Sequence, residues 1–157
     1  EMGLEVLGDE EPFFIMCEGG TIDWAAHANK TMAVVMDVLE FDEAIKKALA
    51  FYKEHPDETL IVVTADHETG GVSIGEGKDW RPEFVDWALL EKHWIESGEK
   101  NVLDYEENEE LNRKALIGWT SSHHTGARVP AFAIGKGAEK FAGIIDNTDI
   151  KGKILGE

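Results

Sequence analysis

Three short apolar runs, each set against a polar cluster, constrain this chain more than any other feature. Pro12–Cys17 (PFFIMC) leads into Glu18-Gly19-Gly20, and Thr59–Ala65 (TLIVVTA) leads into Asp66-His67-Glu68. Val129–Ile134 (VPAFAI) follows Ser121-Ser122-His123-His124-Thr125-Gly126. Continuous apolar runs of this length, rich in β-branched and aromatic residues, read as buried strands of a sheet covered on both faces. Between the first two runs, Ala28–Glu54 carries Met32, Val35, Met36, Leu39, Ile45, Leu49 and Tyr52, mostly three or four apart. That spacing predicts one long helix with a single apolar face. Strand, helix, strand makes a βαβ unit with a right-handed crossover. The expected class is α/β, a mostly parallel sheet sandwiched by helices.

Further helices are expected over Glu1–Leu7, from Pro82 to about Glu96, and over Asn108–Trp119, with Pro82 suited to a first helical turn. Gly70–Gly75 reads as a short edge hairpin. The chain opens with Glu1 rather than Met, in a helix already under way, so a fragment of a longer protein is expected. Acidic residues number 32 against 15 basic ones, a formal charge of −17. Such a surface repels nucleic acid and anionic lipid, so no nucleic-acid partner is expected. No apolar run is longer than Phe13–Cys17 or Met32–Met36, far short of the ~20 residues of a membrane helix. The lone Cys17 excludes an internal disulfide.

The polar clusters carry the chemistry. In open α/β sheets, ligands bind at the carboxyl ends of strands, where the first two clusters fall. Asp23 and His27 stand four apart, so on a helix they share a face and could hold one metal ion; Asp23 could equally be a helix cap. Asp66-His67 follows a strand, where the turn into a loop lets adjacent side chains converge; an Asp-initiated turn is the plainer alternative. Glu18 offers a hard oxygen suited to magnesium, or marks a simple strand-end turn beside two glycines. Four of the six histidines lie in these clusters, and neutral imidazole with carboxylate is the donor set of catalytic zinc. His55 and His93 read as structural.

The strings EGGTIDWAAHAN (Glu18–Asn29), TADHETGG (Thr64–Gly71) and SHHTGARVPAFAIG (Ser122–Gly135) resemble, in order and spacing, the carboxy-terminal metal-binding half of the alkaline phosphatase family. The resemblance extends over about residues 1–150. It implies that Asp23, His27 and His124 bind a first zinc, Asp66 and His67 a second zinc, and Glu18 a magnesium ion. It places His123 as a neighbour rather than a ligand. Thr69 stands where some members carry a histidine behind the ligands, and Trp24 where others carry a lysine or histidine near the phosphate. The implied reaction is hydrolysis of phosphate monoesters through a phosphoserine, two metals about 3.5–4 Å apart clamping the displacement. The resemblance also implies a periplasmic or secreted protein and homodimer formation.

None of the four serines, Ser73, Ser97, Ser121 and Ser122, sits in the family's nucleophile string. The expectation is that residues 1–157 are one carboxy-terminal portion of an alkaline phosphatase-like domain. This portion would be inactive without its missing amino-terminal half, and 76–118 would form a variable helical insertion or cap. The alternatives are an autonomous, non-catalytic metal-binding module, or a phosphodiesterase- or sulfatase-like cousin.

Overall fold

The computed structural model describes residues 2–7, 12–75, 85–98 and 105–156. They form two compact units. The first comprises Glu1–Ile15, Asp42–His67 and Arg128–Glu157, and the second Met16–Phe41 and Glu68–Ala127. Helix α1 (Met2–Leu7) lies in the first unit, and α2 (Gly20–His27) in the second. The long helix α3 (Thr31–Glu54) contains the boundary between them.

In the first unit the Thr59–Ala65 run forms β1 (Leu60–Val63) and the Val129–Ile134 run forms β6 (Phe132–Gly135). They pair antiparallel, Leu60 opposite Gly135 and Val63 opposite Phe132. The Lys136 amide donates to the Thr59 carbonyl at 2.9 Å and extends this ladder. Gly135 has φ +99°, and a Cβ there would lie 2.1 Å from the Thr59 oxygen, so the strand can end this way only with glycine. A 3₁₀ turn, Ala138–Phe141, packs over both strands and buries Phe141. On α3, Phe51 meets Phe13 edge to face, with centroids 5.8 Å apart. The chain then closes with a second 3₁₀ turn (Asn147–Asp149) and α6 (Ile150–Leu155).

The second unit holds α2, the start of α3, and four short strands: β2 (Glu68–Thr69), β3 (Val72–Ile74), β4 (Ile117–Trp119) and β5 (His124–Thr125). Strand β2 pairs with β5, and β3 with β4, both antiparallel. Helices α4 (Trp87–Glu96) and α5 (Tyr105–Lys114) complete it. Its apolar core is Val85, Leu90, Ala115 and Ile117, with Met32, Leu89, Leu111 and Trp119 packed around them. The described helices of 76–118 therefore supply core residues to this unit.

Several expectations are corrected. Pro12–Cys17 forms no strand. Its residues alternate as extended chain does, Phe13 and Ile15 half-buried while Phe14 and Met16 stand 69% and 76% exposed. A strand also needs a ladder partner, and none is present among the described residues. Without it no βαβ unit forms, and the described pairings are antiparallel rather than parallel. The Gly70–Gly75 hairpin is replaced by two strands with different partners, because Gly70 and Gly71 both adopt positive φ between them. The Asn108–Trp119 helix ends at Lys114, where Leu116 turns left-handed (φ +61°) and starts β4. Helix α4 begins at Trp87, after Asp86 caps the Leu89 amide at 2.9 Å. Pro82 lies outside the described residues.

Candidate metal centre

Helix α2 excludes a capping role for Asp23. Its N-cap is Gly19, so Asp23 sits inside the first turn and its carboxylate is not a cap. The i, i+4 spacing brings His27 Nε2 to 3.4 Å from Asp23 Oδ2. The third member arrives on β5, opposite β2, in a ladder that sets Thr69 against His124. There His124 Nε2 lies 3.2 Å from His27 Nε2 and 3.8 Å from Asp23 Oδ1. Asp23, His27 and His124 thus come together within the second unit from residues about a hundred positions apart in sequence.

Neighbouring groups fix how these donors point. His27 Nδ1 lies 2.6 Å from the Ser122 carbonyl, which can only accept, so Nδ1 carries a proton and Nε2 is the nitrogen that faces Asp23 and His124. The Thr69 hydroxyl donates to Asp23 Oδ1 at 2.6 Å. Glu68 accepts from the Gly71 amide at 2.9 Å and from the Thr125 hydroxyl, tying β2 to β5 beside His124. Gly70 donates to the His123 carbonyl and accepts from the Thr120 and Ser121 amides, at 3.0, 3.0 and 3.1 Å. At its φ of +88° a Cβ would strike the Trp119 ring at 2.5 Å.

This donor set fits zinc. A tetrahedral ion with bonds of about 2.0–2.1 Å separates its ligand atoms by roughly 3.3 Å. The two Nε2 atoms, 3.2 Å apart, and the Asp23 oxygens, Oδ2 at 3.4 Å from His27 and Oδ1 at 3.8 Å from His124, lie near that edge, the carboxylate turning a different oxygen to each imidazole. The His124 side chain is 50% exposed, so the donor set faces solvent on one side.

The other candidates are placed as follows. Asp66 and His67 stand just beyond β1 in the first unit, with His67 Nε2 3.5 Å from Asp66 Oδ2. Asp66 also accepts from the His67 amide at 3.2 Å, so the turn and the converged pair exist together. Glu18 is exposed in the segment before α2, its Oε1 lying over Gly20. Trp24 points outward from α2, 73% exposed. The His123 ring stands edge-on to His27, with centroids 6.4 Å apart. His55 stacks on Phe51 at 4.6 Å. His93 buries an Nε2 that has no hydrogen-bond partner among the described residues. The role of the Ser122 carbonyl escaped the sequence reading, since a backbone acceptor leaves no mark in side-chain identity.

A family model described as "Alkaline phosphatase" matches residues 1–155. The chain belongs to the alkaline phosphatase family. It is 36% identical to alkaline phosphatase 4 of Bacillus subtilis, an alignment covering 90% of this chain and 38% of that protein. Among solved structures it resembles a cold-active alkaline phosphatase from a psychrophilic Shewanella species, with a TM-score of 0.80 and 29% identity, covering 98% of this chain and 48% of that one. It also resembles a variant of the alkaline phosphatase of the Antarctic bacterium TAB5, described with magnesium in its M3 site. There the TM-score is 0.69 and the identity 34%, over 99% of this chain and 38% of the other. The chain therefore spans less than half the length of each of these alkaline phosphatases, and its α/β architecture is that of part of an alkaline phosphatase fold. Among the described residues no helix is long and apolar enough to cross a membrane.

Proposed function

We propose that this chain is the metal-binding portion of a phosphomonoesterase, with Asp23, His27 and His124 as the ligands of a zinc ion. The convergence of three donors supports the reading: the Nε2 atoms of His27 and His124 lie 3.2 Å apart, and the Asp23 carboxylate lies 3.4 Å from the first and 3.8 Å from the second. Asp66 and His67 are proposed as ligands of a second zinc, and Glu18 of a magnesium ion. Bound at such sites, divalent cations stabilise the oxygens of a transferring phosphoryl group.

The chain's own residues prepare for that chemistry. The Ser122 carbonyl keeps the His27 proton on Nδ1, and Thr69 aims the Asp23 carboxylate. The set holds a single carboxylate, so a bound divalent ion reverses the local sign. With −17 on the chain, that reversal is what lets a phosphate monoester approach. Three serine hydroxyls are engaged locally: Ser73 and Ser97 donate to the Gly118 and Trp94 carbonyls, and Ser121 accepts from the His123 amide. The proposed phosphoserine nucleophile lies outside these 157 residues. Export to the periplasm or medium, and pairing with a second copy, belong to the same reading.

The test is zinc affinity by chelator competition. His124→Ala should weaken binding at least a hundredfold, while His93→Ala leaves it unchanged; equal effects would overturn the assignment. In the longer protein carrying this chain, His124→Ala should also abolish hydrolysis of a simple aryl phosphate.

A further inference from the structure

Three buried asparagines in the second unit are not accounted for by ligand geometry. Asn29, Asn108 and Asn112 are 8%, 2% and 3% exposed. Asn29 follows Ala28, the C-cap of α2, and adopts φ +52°, a left-handed conformation that asparagine tolerates better than most residues. Two carbonyls, those of Ala26 and Ser121, face one end of its side-chain amide at 2.9 Å each. That end is therefore the nitrogen, donating to both. Ala26 belongs to the helix carrying Asp23 and His27. Ser121 adjoins Ser122, whose carbonyl holds His27, in the segment that delivers His124. One side chain thus ties together both ligand-bearing segments.

Asn29 is itself held from α5. The Asn108 and Asn112 amides donate to its backbone carbonyl at 2.7 and 2.8 Å, and Asn108 also reaches the Ala28 carbonyl at 3.2 Å. Asn112 in turn accepts from the Thr31 hydroxyl at 2.7 Å, which accepts from the Trp119 indole at 3.0 Å. A buried network whose members bond to one another defines a single arrangement, because losing one member strands the others unpaired.

We propose that Asn29 is a positioning residue that sets the distance between His27 and His124, anchored by Asn108 and Asn112 of α5. Helix α5 then acts on the metal centre by fixing the α2–α3 turn, without touching a ligand. The consequence for metal binding rests on the zinc reading above; the consequence for His27 does not.

The test uses the whole chain, with Asn29→Gly, which keeps the positive φ and removes the bridge, and the milder Asn112→Ala. Leu90→Ala, a core side chain that makes no hydrogen bond in the network, is the stability control. In the metal-free chain, nitrogen-resolved NMR should find the His27 Nδ1 proton protected from exchange in wild type and in Leu90→Ala. Both asparagine variants should lose that protection. Zinc affinity by chelator competition should fall about ten- to a hundredfold in Asn29→Gly, the range for outer ligand supports, and less in Asn112→Ala. Leu90→Ala should lower the thermal midpoint without that loss. If the asparagine variants keep both the Nδ1 signal and the zinc affinity of Leu90→Ala, the proposal is overturned. If the wild type takes up no zinc yet Asn29→Gly still releases the Nδ1 proton, the zinc reading fails and the positioning role stands.

Discussion

The two Asp–His pairs reach nearly the same separation from different backbones. On α2, Asp23 and His27 meet at 3.4 Å across one helical turn. Beyond β1, the adjacent Asp66 and His67 meet at 3.5 Å because the chain turns there. What differs is the surroundings. Asp23 accepts from Thr69 and its side chain is 34% exposed, whereas the Asp66 side chain is 82% exposed and accepts from its own neighbour's amide. His27 is further pinned by Ser122 and faced by a third donor, His124. The lesson is that a ligand spacing sets reach, while the groups behind the ligands set aim.

The largest test of that contrast removes the pinned histidine. His27→Ala should reduce zinc affinity by more than about a hundredfold, beyond what loss of an outer support costs, and His55→Ala should leave it unchanged. Thr69→Ala reduces Asp23 toward the situation of Asp66, and should cost about ten- to a hundredfold in competition titration, with Thr69→Ser close to wild type. Gly70→Ala strains a left-handed position against the Trp119 ring and should destabilise the second unit by about 1–3 kcal/mol or more in denaturant unfolding.

The smallest effect is expected at the surface of α5. The Lys114 ammonium, 2.8 Å from Glu110, holds that carboxyl below its ordinary value of 4.5. A depressed carboxyl contributes above its unfolded value and loses that contribution as the pH falls through the folded one. Because both side chains are exposed, Glu110→Gln should leave the thermal midpoint at neutral pH unmoved.

Much of the site was legible because its signals are local. Asp23 and His27 lie within one turn, Asp66-His67 is a dipeptide at a strand end, and the motif strings carried His124 with them. The long helix was legible from its apolar spacing, found from Thr31 rather than Ala28 because Asn29 turns the chain first. Pro12–Cys17 misled because an apolar run records burial and extension, whereas a strand also requires a partner. Asn108–Trp119 misled because Leu116, an ordinary helix former, adopts a left-handed turn that only the β3–β4 pairing explains. The Asn29 bridge was invisible, since its partners lie about eighty positions away. Its meaning comes from carbonyl groups that every residue carries.

The most direct measurement is zinc K-edge X-ray absorption on the chain loaded with one equivalent of zinc. The account predicts a first shell of nitrogen and oxygen only, at about 2.0–2.1 Å, with outer-shell scattering from two imidazole rings. A sulfur scatterer near 2.3 Å, which only Cys17 or a methionine could supply, or a single imidazole, would contradict it.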